Sequence, residues 1–360
     1  MRLKLLILIF FSSILFPLWG FSQTTGHEFM FPDIPGYNTL KCDFHMHTVF
    51  SDGLVWPSVR VAEAVNEDLD AISITDHVEY HSFSDYVSGD HNSAYEIAKP
   101  YAEKNDLILI RGTEITKSMP PGHFNFLFLQ DANGFDTLSW QDAIIRANEQ
   151  GAFVFWNHPG WRQENEIPIW YEEHSWLYSR GLIQGIEIVN ENSYYPLAHQ
   201  WGIDSNLSLL GNSDIHDPLD MFFDRSKGEH RPLTLVFALE RTAEGIREAL
   251  YKRRTAIYYK DLLIGDEQYL KELFYHSVKV YTANEQIADD NPNATRMIVN
   301  NHSSLAFELV YKGKSGKEYG ALILQKDQVV ELKVPEGDGY GSWLVKNVLV
   351  SPDKCLEVIL

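Results

Sequence analysis

Eight short apolar runs recur between residues 41 and 239, near Lys41–Phe44, Ala71–Thr75, Leu107–Gly112, Asn125–Leu129, Phe153–Trp156, Gly185–Val189, Leu207–Gly211 and Leu233–Leu239. Runs this short, bounded by polar and turn-forming residues, read as strands. Helical segments lie between most of them. Pro57–Glu67 carries a proline in its first turn, and Ser139–Glu149 opens on a serine cap. Alternating strands and helices predict an α/β fold with a parallel sheet, and six to eight such units predict a TIM-like (β/α) barrel. From about Val278 the pattern changes. Short strands with β-branched and aromatic residues alternate with turns at Asp289–Pro292, Lys312–Lys314, Glu336–Gly339 and Ser351–Asp353. That predicts a small antiparallel β-sandwich, serving either as a cap on the barrel or as a glycan- or partner-binding module.

The first residues have a different pattern. Arg2 and Lys4 precede an apolar run from Leu5 to Leu18, and Gly20-Phe21-Ser22 supplies a small-x-small cleavage site. The run is short for a bilayer span and is interrupted by Ser12, Ser13 and Pro17. The expected plan is a Sec signal peptide over 1–22, an arm over 23–40, the barrel over 41–276 and the sandwich over 277–360. The product would be exported, periplasmic or secreted, and not inserted in the membrane once the leader is removed.

The ends of the runs carry the chemistry. Asp43-Phe44-His45-Met46-His47-Thr48 follows the first run and leads into Ser51-Asp52-Gly53. An H-x-H at a strand end turns both imidazoles to one side, because side chains alternate with period 2. Thr75-Asp76-His77, Gly112-Thr113-Glu114, His123, Asn157-His158-Pro159-Gly160 and Ser213-Asp214-Ile215-His216 occupy corresponding places. The collected set is His45, His47, Asp52, His77, Glu114, His123, His158, Asp214 and His216. A single zinc takes about four ligands, so these nine suit two or three divalent ions with a bridging carboxylate. Mixed nitrogen and oxygen donors admit Mn, Zn or Fe.

This order of phrases resembles the PHP (polymerase and histidinol phosphatase) family of metallophosphoesterases over about residues 41 to 260, with all nine ligand positions filled. The resemblance implies a distorted, seven-stranded (β/α) barrel. It also implies one ion held by His45, His47, Glu114 and Asp214, a second by Glu114, His123 and His158, and a third by Asp52, His77 and His216. Glu114 would bridge the first two, and a metal-bridging hydroxide held by Glu114 and its neighbours would attack a phosphoester. Pro120-Pro121-Gly122-His123, Phe155-Trp156-Asn157-His158 and Arg231-Pro232-Leu233-Thr234 are similar to the Sb-PDE group of phosphodiesterases. Lys117, Arg162, His230 and Arg231 lie near the ligand phrases as candidates for a phosphate oxygen or a leaving group, and Trp161 as a candidate wall for an ester group. Trp156 reads as core. Asp76 reads either as a brace behind the ligands or as a helix cap, while Asn157, Asn190 and Asn212 stand where they can orient ligands.

Charge narrows the substrate. With 50 acidic and 30 basic residues the chain is at −20, and at −22 without Arg2 and Lys4. Such a surface repels long nucleic acid, whereas a small phosphoester can still be drawn to bound cations. A diester, a monoester of the histidinol phosphate type and a very short oligonucleotide all remain open, as does a non-catalytic metal-binding protein. Only Cys42 and Cys355 are present, so no disulfide framework exists; Cys42, alternating with Asp43 and His45, is expected as a small buried thiol.

Overall fold

The computed structural model describes residues 29–282, 294–313, 316, 318–335 and 342–360. The leader over 1–22, part of the arm, and the turns at 289–292 and 336–339 lie outside the described residues. Among those described, no helix is long and apolar enough to cross a membrane.

The first eleven strands are β1 Asn38–Asp43, β2 Ala71–Ile74, β3 Ile108–Ile115, β4 Phe124–Leu127, β5 Phe153–Trp156, β6 Gly185–Asn190, β7 Ser193–Tyr194, β8 Ser208–Asn212, β9 Leu233–Ala238, β10 Thr255–Tyr259 and β11 Leu262–Gly265. Among the helices, α1 Pro57–Asn66 has proline at its start, α2 is Ser93–Lys104, and α3 Trp140–Glu149 is capped by Ser139, whose side chain accepts from Asp142 N–H. Next come α4 Glu172–Ser179, α5 Pro196–Asp204, the short α6 Leu219–Phe222, α7 Ala243–Tyr251 and α8 Glu267–Ser277.

The sheet is mixed and open, which corrects the expectation of a closed parallel barrel. β1, β2 and β3 pair in parallel, as do β5, β6 and β8. β4 is antiparallel to both β3 and β5. The physical reason is the connection: only residues 116–123 separate β3 from β4, with no helix among them, and a parallel crossover needs about a dozen residues or more. β9 is antiparallel to β1 and β10. Between β8 and β9 there is no strand ladder. The Thr234 hydroxyl instead accepts from Gly211 N–H at 3.0 Å and donates to Gly211 O at 2.9 Å. Beneath the strands, Leu40, Cys42, Phe153 and Leu210 gather against Ile246 and Leu250 of α7, and Cys42 is fully buried there.

The C-terminal strands, expected as a small antiparallel sandwich, divide between two sheets, one of them continuous with the main sheet. They are β12 Val278–Thr282, β13 Ala294–Asn301, β14 Phe307–Lys312, β15 Glu318–Leu324, β16 Val329–Pro335, β17 Ser342–Ser351 and β18 Lys354–Val358. β12, β13 and β16 form a three-stranded sheet, but β14, β15, β17 and β18 continue the main sheet. The join is β17, which pairs in parallel with the outer edge of β11 through Leu263–Val348 and Ile264–Leu349. An unpaired strand edge is a template for another strand, and the chain covers its own.

Candidate metal centre

The open, mixed sheet still delivers the ligand phrases to one end. His45, His77, His158, Asp214 and His216 follow the C-terminal ends of β1, β2, β5 and β8, and Glu114 lies in the last turn of pleat of β3. His123 precedes its strand instead of following it. Because β4 runs antiparallel, its N-terminal end lies beside the C-terminal ends of β3 and β5. Gly53 serves the loop that carries Asp52: a Cβ there would lie 2.5 Å from the His47 carbonyl carbon.

All nine sequence-predicted ligands come together. Four sets have ligand atoms within 4.8 Å of one another: His47, Asp52, His77 and His216; His45, His158 and Asp214; His45, His47 and Glu114; and Glu114, His123 and His158. Glu114, completely buried, faces two ways. Its Oε2 lies 3.0 Å from His45 Nε2 and 3.3 Å from His47 Nε2, while Oε1 lies 2.7 Å from His123 Nδ1. Asp214 Oδ1 lies 3.1 and 3.0 Å from the same two Nε2 atoms. Asp52 Oδ1 lies 3.3 Å from His216 Nε2 and 3.6 Å from His77 Nε2. Nδ1–H of His216 donates to the Asp214 carbonyl at 2.7 Å, which leaves Nε2 as the free lone pair toward Asp52.

These residues fit a cation cluster. His47 Nε2, Asp52 Oδ1, Glu114 Oε1, His123 Nδ1 and Asp214 Oδ1 are all buried without a hydrogen bond. Convergent lone-pair atoms so placed are costly unless a cation lies among them. The electrostatics agree. Burial pushes His77 and His158 down to about 3. Burial also disfavours charge on His45 and His47, but the Asp214 and Glu114 carboxylates outweigh it, lifting His45 well above the ordinary range and His47 to about 9. For Glu114 and Asp214 burial acts upward, and the surrounding imidazoles nevertheless hold both far below the usual carboxylate range.

A cavity of about 530 Å³ adjoins His123 and His158, with Tyr80, Lys117, Trp161 and Arg162 on its walls. The ring of Trp161 lies 4.8 Å from that of His123, and the Arg162 guanidinium covers Trp161 at 4.1 Å. Lys117 reaches Glu79 at 2.8 Å. Two other proposed contacts are corrected. Arg231 is buried, donating to Asp43 at 3.0 Å and Glu67 at 2.6 Å, because two buried acids there need a partner. His230 stacks on Tyr258 at 4.6 Å and donates from Nδ1 to the Arg231 carbonyl. Neither lines the cavity. Nearness in sequence to a ligand phrase says nothing about which way a side chain leaves the backbone.

Trp156 is core, stacked on His174 at 3.7 Å. Asp76 caps no helix; it accepts from Thr48 N–H and Oγ1 and from the Ser51 hydroxyl, bracing the loop between His47 and Asp52. Asn190 donates to Asp214 at 3.2 Å, Asn212 accepts from Phe44 N–H, and Asn157 pairs with Asn125. Sequence reasoning missed Arg60, Tyr80 and Glu187. For Glu187 a signal exists: it is the lone charge in the otherwise apolar strand Gly185-Ile-Glu-Ile-Val. Arg60, one of two charges on the amphipathic helix α1, offers none.

Comparison with known proteins places this geometry. The sequence profile described as the PHP domain matches residues 43–186. Most of the chain is similar to a Bacteroides vulgatus crystal structure, described as a two-domain protein containing a predicted PHP-like metal-dependent phosphoesterase. The identity is 42%, covering 93% of this chain and 98% of that one, with a TM-score of 0.87. An 82-residue segment, 23% of this chain, is 35% identical to an uncharacterized protein of Methanocaldococcus jannaschii and spans 36% of that protein's length.

Proposed function

The chain belongs to the PHP domain family, and on that premise we propose that it is a metal-dependent phosphoesterase acting on small organophosphate diesters. The observation that carries the reading is the convergence of nine ligand residues at one end of the sheet. Two or three ions of Mn, Zn or Fe would be held by His45, His47, Glu114 and Asp214, by Glu114, His123 and His158, and by Asp52, His77 and His216. Bound divalent ions supply water ionised near neutral pH and neutralise phosphoryl charge. The chain's own residues do the rest. Glu114 offers one oxygen to each of two neighbouring imidazole sets, which ties them into one unit. Arg162, stacked on Trp161, presents its guanidinium to a phosphoryl oxygen, with Lys117 across the same cavity. Trp161 and Tyr80 wall the space for an ester group.

Two considerations support a diester. The phrases at 120–123 and 155–158 are similar to those of the Sb-PDE group, and an acidic chain with aromatic cavity walls suits a singly charged ester. A leader like that of residues 1–22 would place the enzyme outside the cytoplasm. The test is a panel of p-nitrophenyl mono-, di- and triesters. The diester's kcat/KM should exceed the monoester's tenfold or more, about 1.4 kcal/mol of differential transition-state binding. A monoester preference would assign the same centre to a phosphomonoesterase.

A further inference from the structure

Glu187 is a carboxylate that the nine-ligand scheme leaves unused, yet it is completely buried. Its neighbours Ile186 and Ile188 pack into the hydrophobic layer, so on β6 it projects from the opposite face, among the ligands. An unsatisfied buried charge costs several kcal/mol. Here four donors converge on two oxygens. Oε1 takes His45 Nδ1–H at 3.2 Å and Asn212 Nδ2 at 2.8 Å; Oε2 takes the His158 backbone N–H at 2.8 Å and Asn190 Nδ2 at 2.9 Å.

Each of those donors leads to a different part of the metal centre. His45 and His158 are themselves ligand residues. Asn190 donates its other proton to Asp214 Oδ2 at 3.2 Å, and Asn212 accepts from Phe44 N–H, beside His45, at 2.9 Å. One side chain therefore joins β1, β5, β6 and β8 at the floor of the cluster. Its most specific contact is with His45. A carboxylate at Nδ1 holds that nitrogen protonated and leaves Nε2 as the only lone pair, and Nε2 is the atom that faces Glu114 and Asp214.

We propose that Glu187 is a positioning residue of the metal centre, setting the tautomer and aim of His45 and with them the affinity of the ion shared by His45, His47, Glu114 and Asp214. The inference rests on the metal-dependent reading above. Glu187→Gln keeps the shape and removes the charge. The isosteric amide must turn an NH2 toward a donor.

The experiment uses the full chain, stripped and titrated with Zn²⁺ and Co²⁺. The variant should bind one ion per chain 10–100-fold more weakly than wild type, with a changed Co²⁺ visible spectrum. A merely structural role would lower the stability of the metal-free protein and leave these affinities alone. Unchanged Zn²⁺ affinity in folded Glu187→Gln would overturn the proposal. A second measurement needs no variant: in Zn²⁺-loaded, ¹⁵N-histidine-labelled wild type, His45 should carry its proton on Nδ1, and a proton on Nε2 would equally overturn it. Wild type that binds no Zn²⁺, Co²⁺ or Mn²⁺ at all would instead sink the metal-dependent reading itself.

Discussion

Arg60→Lys is a sharp test of how the centre is held. Arg60 is completely buried, and all five of its N–H groups are used. Nε donates to the His47 carbonyl at 2.9 Å, Nη1 to Asp217 O at 2.9 Å and Glu63 at 2.8 Å, and Nη2 to the Ile215 and His216 carbonyls at 2.9 Å each. One guanidinium thus ties the loop of His47 to the loop of His216. Lysine keeps the charge but has three donors on a single atom, so at least two of the five acceptors lose a donor; Ile215 O and His216 O also accept from the His47 and Leu54 backbone N–H groups. A hydrogen bond to a charged group contributes roughly 1.5–3 kcal/mol, which makes the expected loss for two of them about 3–6 kcal/mol. Guanidinium unfolding of metal-free protein reads that loss without the contribution of bound ions. Inductively coupled plasma analysis of metal-loaded protein should then find fewer ions per chain, with the site of Asp52, His77 and His216 depleted. A loss below about 1 kcal/mol with full metal content would refute the reasoning, because the lost charge-assisted hydrogen bonds would then have been cheap.

Three further outcomes are expected. Chelator-treated protein should be inactive and recover with Mn²⁺, Zn²⁺ or Fe²⁺, with two to three ions per active chain; Glu114→Ala should not recover, since both imidazole sets lose their shared carboxylate. Arg162→Ala should lower kcat/KM about 10–100-fold, or 1.4–2.8 kcal/mol, with metal content unchanged; full activity would remove Arg162 from the substrate site. Burial pushes the Cys42 thiol up, with Asp70 and Asp43 adding to it, so thiolate is scarcer there at any given pH. Ellman's reagent at pH 8 should therefore titrate one thiol in the native chain, the partly exposed Cys355, and two after unfolding.

The ligand list and the strands that carry it were legible in the linear sequence, because both depend on local rules. Side-chain alternation turns His45 and His47 to one side, and short apolar runs form strands wherever they lie. The helix starts at Pro57 and Ser139 are local in the same sense. What remained hidden depends on groups distant in sequence. The missing ladder between β8 and β9 and the capture of β17 by β11 are settled by which backbone edges meet, and no residue type encodes an edge. Arg231 reads from sequence as a cation beside a ligand phrase; only folding shows Asp43 and Glu67 closing on it. Arg60 and Glu187 became part of the centre for the same reason. A buried charge must find every partner it needs, and theirs come from loops and strands that meet only in the folded chain.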